Sequence, residues 1–116
     1  DQLWVLERHP AEGELLAEEA SNVIPQADVV AITGTTLINH TLDGLLSLCR
    51  PDSTVMVLGP STPLSPVFFD HGVDVVSGTR VVDTDLVLTL ISQGATFRQF
   101  KGPGVRLLTM TSSGFT

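Results

Sequence analysis

The feature that most narrows the fold is an alternation of short apolar runs with amphipathic stretches. Residues 3–6, 29–32, 55–58 and 73–76 are four short runs of four residues each, apolar but for Asp74 and bounded by turn-forming or charged residues. Runs of that length suit strands covered on both faces, as in a parallel sheet. Between them the spacing predicts helices. In residues 12–24, Leu16, Ala20, Val23 and Ile24 share one face, Glu12, Glu14, Glu18 and Glu19 take the rest, and Pro25 closes the segment. Residues 41–50 place Leu42, Leu45, Leu46 and Cys49 on one stripe ahead of Pro51. A shorter stretch, 64–70, precedes Gly72. A fourth opens on Asp83 as N-cap, buries Leu86, Val87, Leu90 and Ile91, and stops at Gly94. Residues 105–110 read as one more strand, and 111–116 as a frayed polar tail. Strand–helix alternation from end to end implies a doubly wound α/β sheet in one unit over residues 1–110.

Composition bounds the partners. With 116 residues, 42% of them hydrophobic, the chain can build one domain around one core. Six Lys and Arg against 13 Asp and Glu leave a net charge of −7, which repels phosphate backbones and anionic lipid alike, so neither nucleic acid nor membrane is expected as a partner. The single cysteine, Cys49, excludes an internal disulfide and a zinc site built on thiolate pairs. No basic start precedes an apolar leader, and the expectation is a cytoplasmic domain. A chain that opens on Asp1 and runs at once into a strand-like segment reads as an excised part of something longer.

In open α/β sheets the ligand lies outside the carboxyl ends of the strands. The loops there carry Glu7-Arg8-His9, then Thr33 to His40, then Gly59-Pro60-Ser61-Thr62-Pro63, then Ser77-Gly78-Thr79-Arg80. The opposite turns, around Pro25 to Asp28 and Pro51 to Ser53, look plain. In the second loop Gly34 allows close backbone approach, while Thr33, Thr35, Thr36 and Asn39 offer hydroxyls and an amide to an anion; the alternative is simple N-capping by Asn39. Ser61 sits in a segment like a nucleophile elbow, but Pro63 stands where the elbow has Gly. Gly59 and Pro60 therefore suggest a rigid turn presenting Ser61 and Thr62 for hydrogen bonding. Glu7 occupies the place of a ribose-binding carboxylate, or is a solvated strand end. No G-x-G-x-x-G accompanies it. His9 and His40 follow strands at the same edge and are the metal-ligand candidates, although neither has a second His at ligand spacing. Cys49 falls on a leucine stripe and reads as core.

Several of these segments carry a resemblance. Glu7, Ala27-Asp28-Val29-Val30, Thr33-Gly34-Thr35-Thr36-Leu37-Ile38-Asn39-His40-Thr41, Leu58-Gly59-Pro60-Ser61-Thr62-Pro63-Leu64, Gly72-Val73-Asp74 and Gly78 are similar to the family of "putative heavy-metal chelation" domains. The resemblance implies a Rossmann-like three-layer domain with a mainly parallel sheet, normally preceded by a domain like the N-terminal part of enolase, with a ligand cleft between the two. It also implies that this chain lacks the first strand of its sheet. A missing N-terminal domain, or a second copy of the chain, would then be its partner.

The expected function is binding of a small ligand or heavy-metal chelate, the cofactor being a heavy metal or a metal-carrying small molecule. The ligand-binding set is Thr33, Gly34, Thr35, Thr36, Asn39, Gly59, Pro60, Ser61, Thr62 and Glu7. The alternatives are a nucleotide-dependent enzyme half-site and an assembly domain with no ligand of its own.

Overall fold

A computed structural model describes residues 2–115; Asp1, and Thr116 at the end of the expected tail, lie outside the described residues. Two strands open the chain: β1 (Leu6–Glu7) pairs in parallel with β2 (Leu15–Leu16). Three consecutive helical turns follow, with α1 (Ala20–Val23) between two 3-10 turns, Ala17–Glu19 and Ile24–Gln26. Next come β3 (Val29–Thr33), α2 (Thr35–Ile38), α3 (Leu42–Leu48) and β4 (Thr54–Leu58). A 3-10 turn, Pro66–His71, leads to β5 (Val75–Val81), α4 (Thr84–Ser92), α5 (Phe97–Phe100), β6 (Val105–Thr111) and β7 (Gly114–Phe115).

The main sheet has the order β3-β4-β5-β6-β7. The first three strands are parallel, and β6 runs against β5 and β7. The result is a mixed sheet in which only β6 opposes the common direction. Its core is one row of side chains in register across four strands: Ile32 opposite Val57, Val57 opposite Val76, and Val76 opposite Met110. Val57 and Val76 are completely buried. Ala20, Ile24, Leu42 and Phe68, from the helical segments, join this cluster on the same face. β-Branched residues dominate the row because their restricted χ1 packs well on a pleated surface.

Several expectations are corrected. The run 3–6 is not a strand of the main sheet: Leu3 is 86% exposed, and only Leu6–Glu7 pairs, with β2. The helix expected over 12–24 begins only at residue 17. Gly13 sits at φ +86° and breaks any helix there, and Leu15–Leu16 is extended, which leaves Leu16 exposed. The run 73–76 is displaced: Val73 is buried ahead of the strand, which instead continues through the supposed loop 77–80 to Val81 because β6 pairs with its whole length. Coverage on both faces does not hold for β3, where Val30 and Ile32 are buried but Val29, Ala31 and Thr33 are exposed. Ile91 is exposed on α4. The tail is not frayed at Gly114–Phe115, which turns back onto Met110 and Thr111.

Other local readings match. Asp83 Oδ1 accepts from the Leu86 N–H at 2.9 Å, and Gly94 follows α4 at φ +81°. Gly72 ends the Pro66–His71 turn in the left-handed region.

Candidate functional site

The loops after β3 and β4 meet because the ladder continues into them. The Gly34 N–H donates to Leu58 O at 2.8 Å, and the Gly59 N–H donates to Ser77 O at 3.1 Å. Thr62 then folds back, its N–H donating to Gly59 O at 3.0 Å. This places Thr62 between two buried glycines. A Cβ on Gly34 would collide with Thr62 Oγ1 and lie 2.8 Å from its backbone nitrogen, and a Cβ on Gly78 would collide with the Thr62 carbonyl oxygen. Thr62 is 3% exposed, and among the described residues its hydroxyl has no hydrogen-bond partner. Thr79 Oγ1 secures the same loop by donating to Pro60 O at 2.9 Å.

The threonines of the second loop largely satisfy one another. Thr36 is buried and donates to Thr33 O at 2.8 Å, and the Thr33 and Thr35 hydroxyls lie 3.1 Å apart. Instead of a loop, residues 35–38 form α2. Asn39 is not the N-cap of α3; Thr41 holds that position, and its hydroxyl donates to Asn39 Oδ1 at 2.5 Å. Thr33, Thr35, Asn39, Pro60 and Ser61 are exposed, while Gly34, Thr36 and Thr62 are buried beneath them.

Glu7 and His9 stand apart. Glu7 ends β1, which pairs with β2 and not with the main sheet, and both side chains are exposed. His40 is exposed between α2 and α3 at φ +61°. Among the described residues no group of three His, Cys, Asp or Glu side chains is placed to hold a metal ion. The donors at the loops are neutral hydroxyls and an amide, which do not fit tight binding of a bare divalent ion.

Two concavities lie elsewhere, and none of the expected ligand-binding residues lines either. One, about 220 Å³, is at the opposite edge of the sheet, lined by Cys49, Arg50, Ser53, His71 and Asp74 among others. The turns there are less plain than their sequence suggests: Arg50 bonds Asp28 at 2.6 Å and lies 3.3 Å from Asp52, and both hold its guanidinium protonated. Burial raises the Cys49 thiol above its ordinary pKa. The other, about 660 Å³, runs beside β5 and β6 between Leu64, Thr79, Arg80, Val81 and Leu108. Gly78, expected in a loop, lies instead inside β5, where a glycine marks a close backbone approach.

No helix among the described residues is long and apolar enough to cross a membrane. In sequence the chain is 30% identical over 104 residues to an uncharacterized protein of Methanocaldococcus jannaschii, a match covering 86% of this chain and 40% of that protein. In structure it is similar to a DUF364-family protein of unknown function from Desulfitobacterium hafniense, with a TM-score of 0.84 and 29% identity, over 95% of this chain and 44% of the other. A second DUF364 protein of unknown function, from Pyrococcus horikoshii, shares the fold with a TM-score of 0.82 at 18% identity, over 93% and 45% of the two chains. The chain thus spans less than half the length of these relatives. Residues 1–110 match the DUF364 family along almost the whole sequence, and the chain belongs to that family, whose description reads "Putative heavy-metal chelation".

Proposed function

We propose that this domain binds a small anionic or metal-carrying ligand over the loops that follow β3 and β4. The observation that carries the reading is Thr62 between Gly34 and Gly78, which draws the ends of β3 and β4 against the middle of β5 into one floor. Thr36 and Thr62 build that floor from inside, and Thr33, Thr35, Asn39 and Ser61 are the exposed groups above it. Neutral donors of this kind orient an oxyanion by hydrogen bonds without caging a bare cation. The family description names heavy-metal chelation; because no caging donor set stands among the described residues, we read the metal as arriving already chelated. Calorimetric titration of the full chain with zinc sulfate, citrate and zinc citrate tests this. Zinc citrate should bind and zinc alone should not, and T35A/S61A should weaken the chelate about fivefold per lost hydrogen bond. Unchanged affinity in the variant, or tight binding of zinc alone, would overturn the reading.

We also infer that the intact sheet continues past β3 with a further strand and layer, which gives the Rossmann-like three-layer arrangement. Three features support it. Among the described residues β3 is hydrogen-bonded on one side only, and its outer face is open at Val29, which is 59% exposed. Leu6 of β1 packs against the core although β1 does not join the sheet. Relatives are about twice as long.

A further inference from the structure

We propose that the groove beside β5 and β6 binds a small molecule with an apolar body and one anionic group, gripped at its charged end by Arg80 and Arg106. These two arginines are direct partners in the antiparallel ladder. Cα atoms so paired lie about 5 Å apart, and like charges facing each other there are unfavourable. Among the described residues neither has a carboxylate within 4.0 Å; the ion pairs belong to Arg50. In a chain with 13 acidic and only 6 basic residues, placing two of the six side by side without an acid calls for an anion from outside. Paired guanidinium forks match the geometry of a carboxylate or phosphate.

The apolar half comes from the same face. With a period of two, Arg80 emerges on the side of Val76 and Gly78, and Arg106 on the side of Leu108 and Met110. Gly78 has no side chain of its own, and Leu64 Cδ2 lies 3.3 Å from where its Cβ would be. Leu64 and Leu108 therefore flank an open groove of about 660 Å³, within the size range of small-molecule sites; Arg80 lines it, and Arg106, which does not, adjoins it as Arg80's partner in the ladder. The exposed hydroxyls of the loop reading do not line it, so this proposal stands apart from that one.

The test uses the full chain with 2-naphthoate, the neutral 2-naphthamide and inorganic phosphate, followed by amide chemical shifts and calorimetry. Naphthoate should shift residues 64, 79–81 and 106–108 and bind at least tenfold tighter than naphthamide or phosphate. R80Q/R106Q should lower naphthoate affinity at least tenfold, leave naphthamide unchanged and not lower the thermal midpoint, since both side chains are exposed and their mutual repulsion is removed. T35A/S61A should leave naphthoate binding unchanged whatever it does to zinc citrate. Equal affinity for naphthoate and naphthamide, phosphate binding as tightly as naphthoate, or shifts confined to other residues would overturn the proposal.

Discussion

Replacing Gly34 by Ala adds one methyl group at a backbone that tolerates it, because Gly34 is in the right-handed helical region at φ −61° and ψ −18°. On conformational grounds alone the change should stabilise by about 0.4–1 kcal/mol. Packing reverses the sign. The new Cβ would lie 2.8 Å from the Thr62 nitrogen and 2.9 Å from its Cα, against the roughly 3.5–4.0 Å of comfortable carbon contact. Neither backbone can retreat freely, since Gly34 N–H is tied to Leu58 O and Thr62 N–H to Gly59 O. Overpacking of this kind costs about 1–3 kcal/mol or more, and the upper end applies where main chain meets main chain. The net expectation is a loss of about 2 kcal/mol. Gly44 is the control: it lies inside α3, and a Cβ there meets nothing within 4 Å. G44A should gain about 0.5–1 kcal/mol. At about 4 °C per kcal/mol for a domain of this size, thermal midpoints should move roughly 8 °C down and 2–4 °C up. Urea unfolding followed by circular dichroism measures both. G34A as stable as the parent, or G44A less stable, would refute the packing argument.

Three further outcomes are expected. D83A should cost about 1 kcal/mol by removing the cap on Leu86 N–H, whereas D83N, an equally good cap, should stay within a few tenths; chemical denaturation separates them. Cys49 should react with a thiol reagent far more slowly in the native than in the denatured chain. Burial disfavours its thiolate, so stability is undiminished below the unfolded thiol's pKa and falls as pH climbs through the native value, and C49A should flatten the alkaline limb of the stability curve. The open side of β3 should make the chain self-associate with rising concentration; light scattering that finds a monodisperse monomer throughout would count against it.

β4 inside the sheet and β3 at its edge are legible in the sequence because Val29 to Ile32 and Val55 to Leu58 are short apolar runs rich in β-branched residues, which favour a strand. The end of α4 and the turn at Gly72 are legible for a similar reason, since an N-cap and left-handed glycines are local chemistry. The stretch 12–24 misleads because the spacing of Leu16, Ala20, Val23 and Ile24 matches a helix while Gly13 and the pairing of Leu15–Leu16 with Leu6–Glu7 decide otherwise, and that pairing is a tertiary fact. The length of β5 was hidden in the same way: Gly78, Thr79 and Arg80 look like a loop until β6 supplies a partner. At the candidate site the polar loops stand out in the sequence. That Thr36 and Thr62 face inward does not, because burial of a hydroxyl depends on which glycines come to meet it.

The two margins of the sheet are unlike. On one side Gly114–Phe115 covers Met110 and Thr111 at one end of β6, and a bridge from Lys101 covers Val105 at the other. On the other side β3 offers five residues of ladder with no partner strand among the described residues. Two copies meeting β3 to β3 about a twofold axis would each cover the other's free edge, and the pair would be a closed particle and not the start of a fibre.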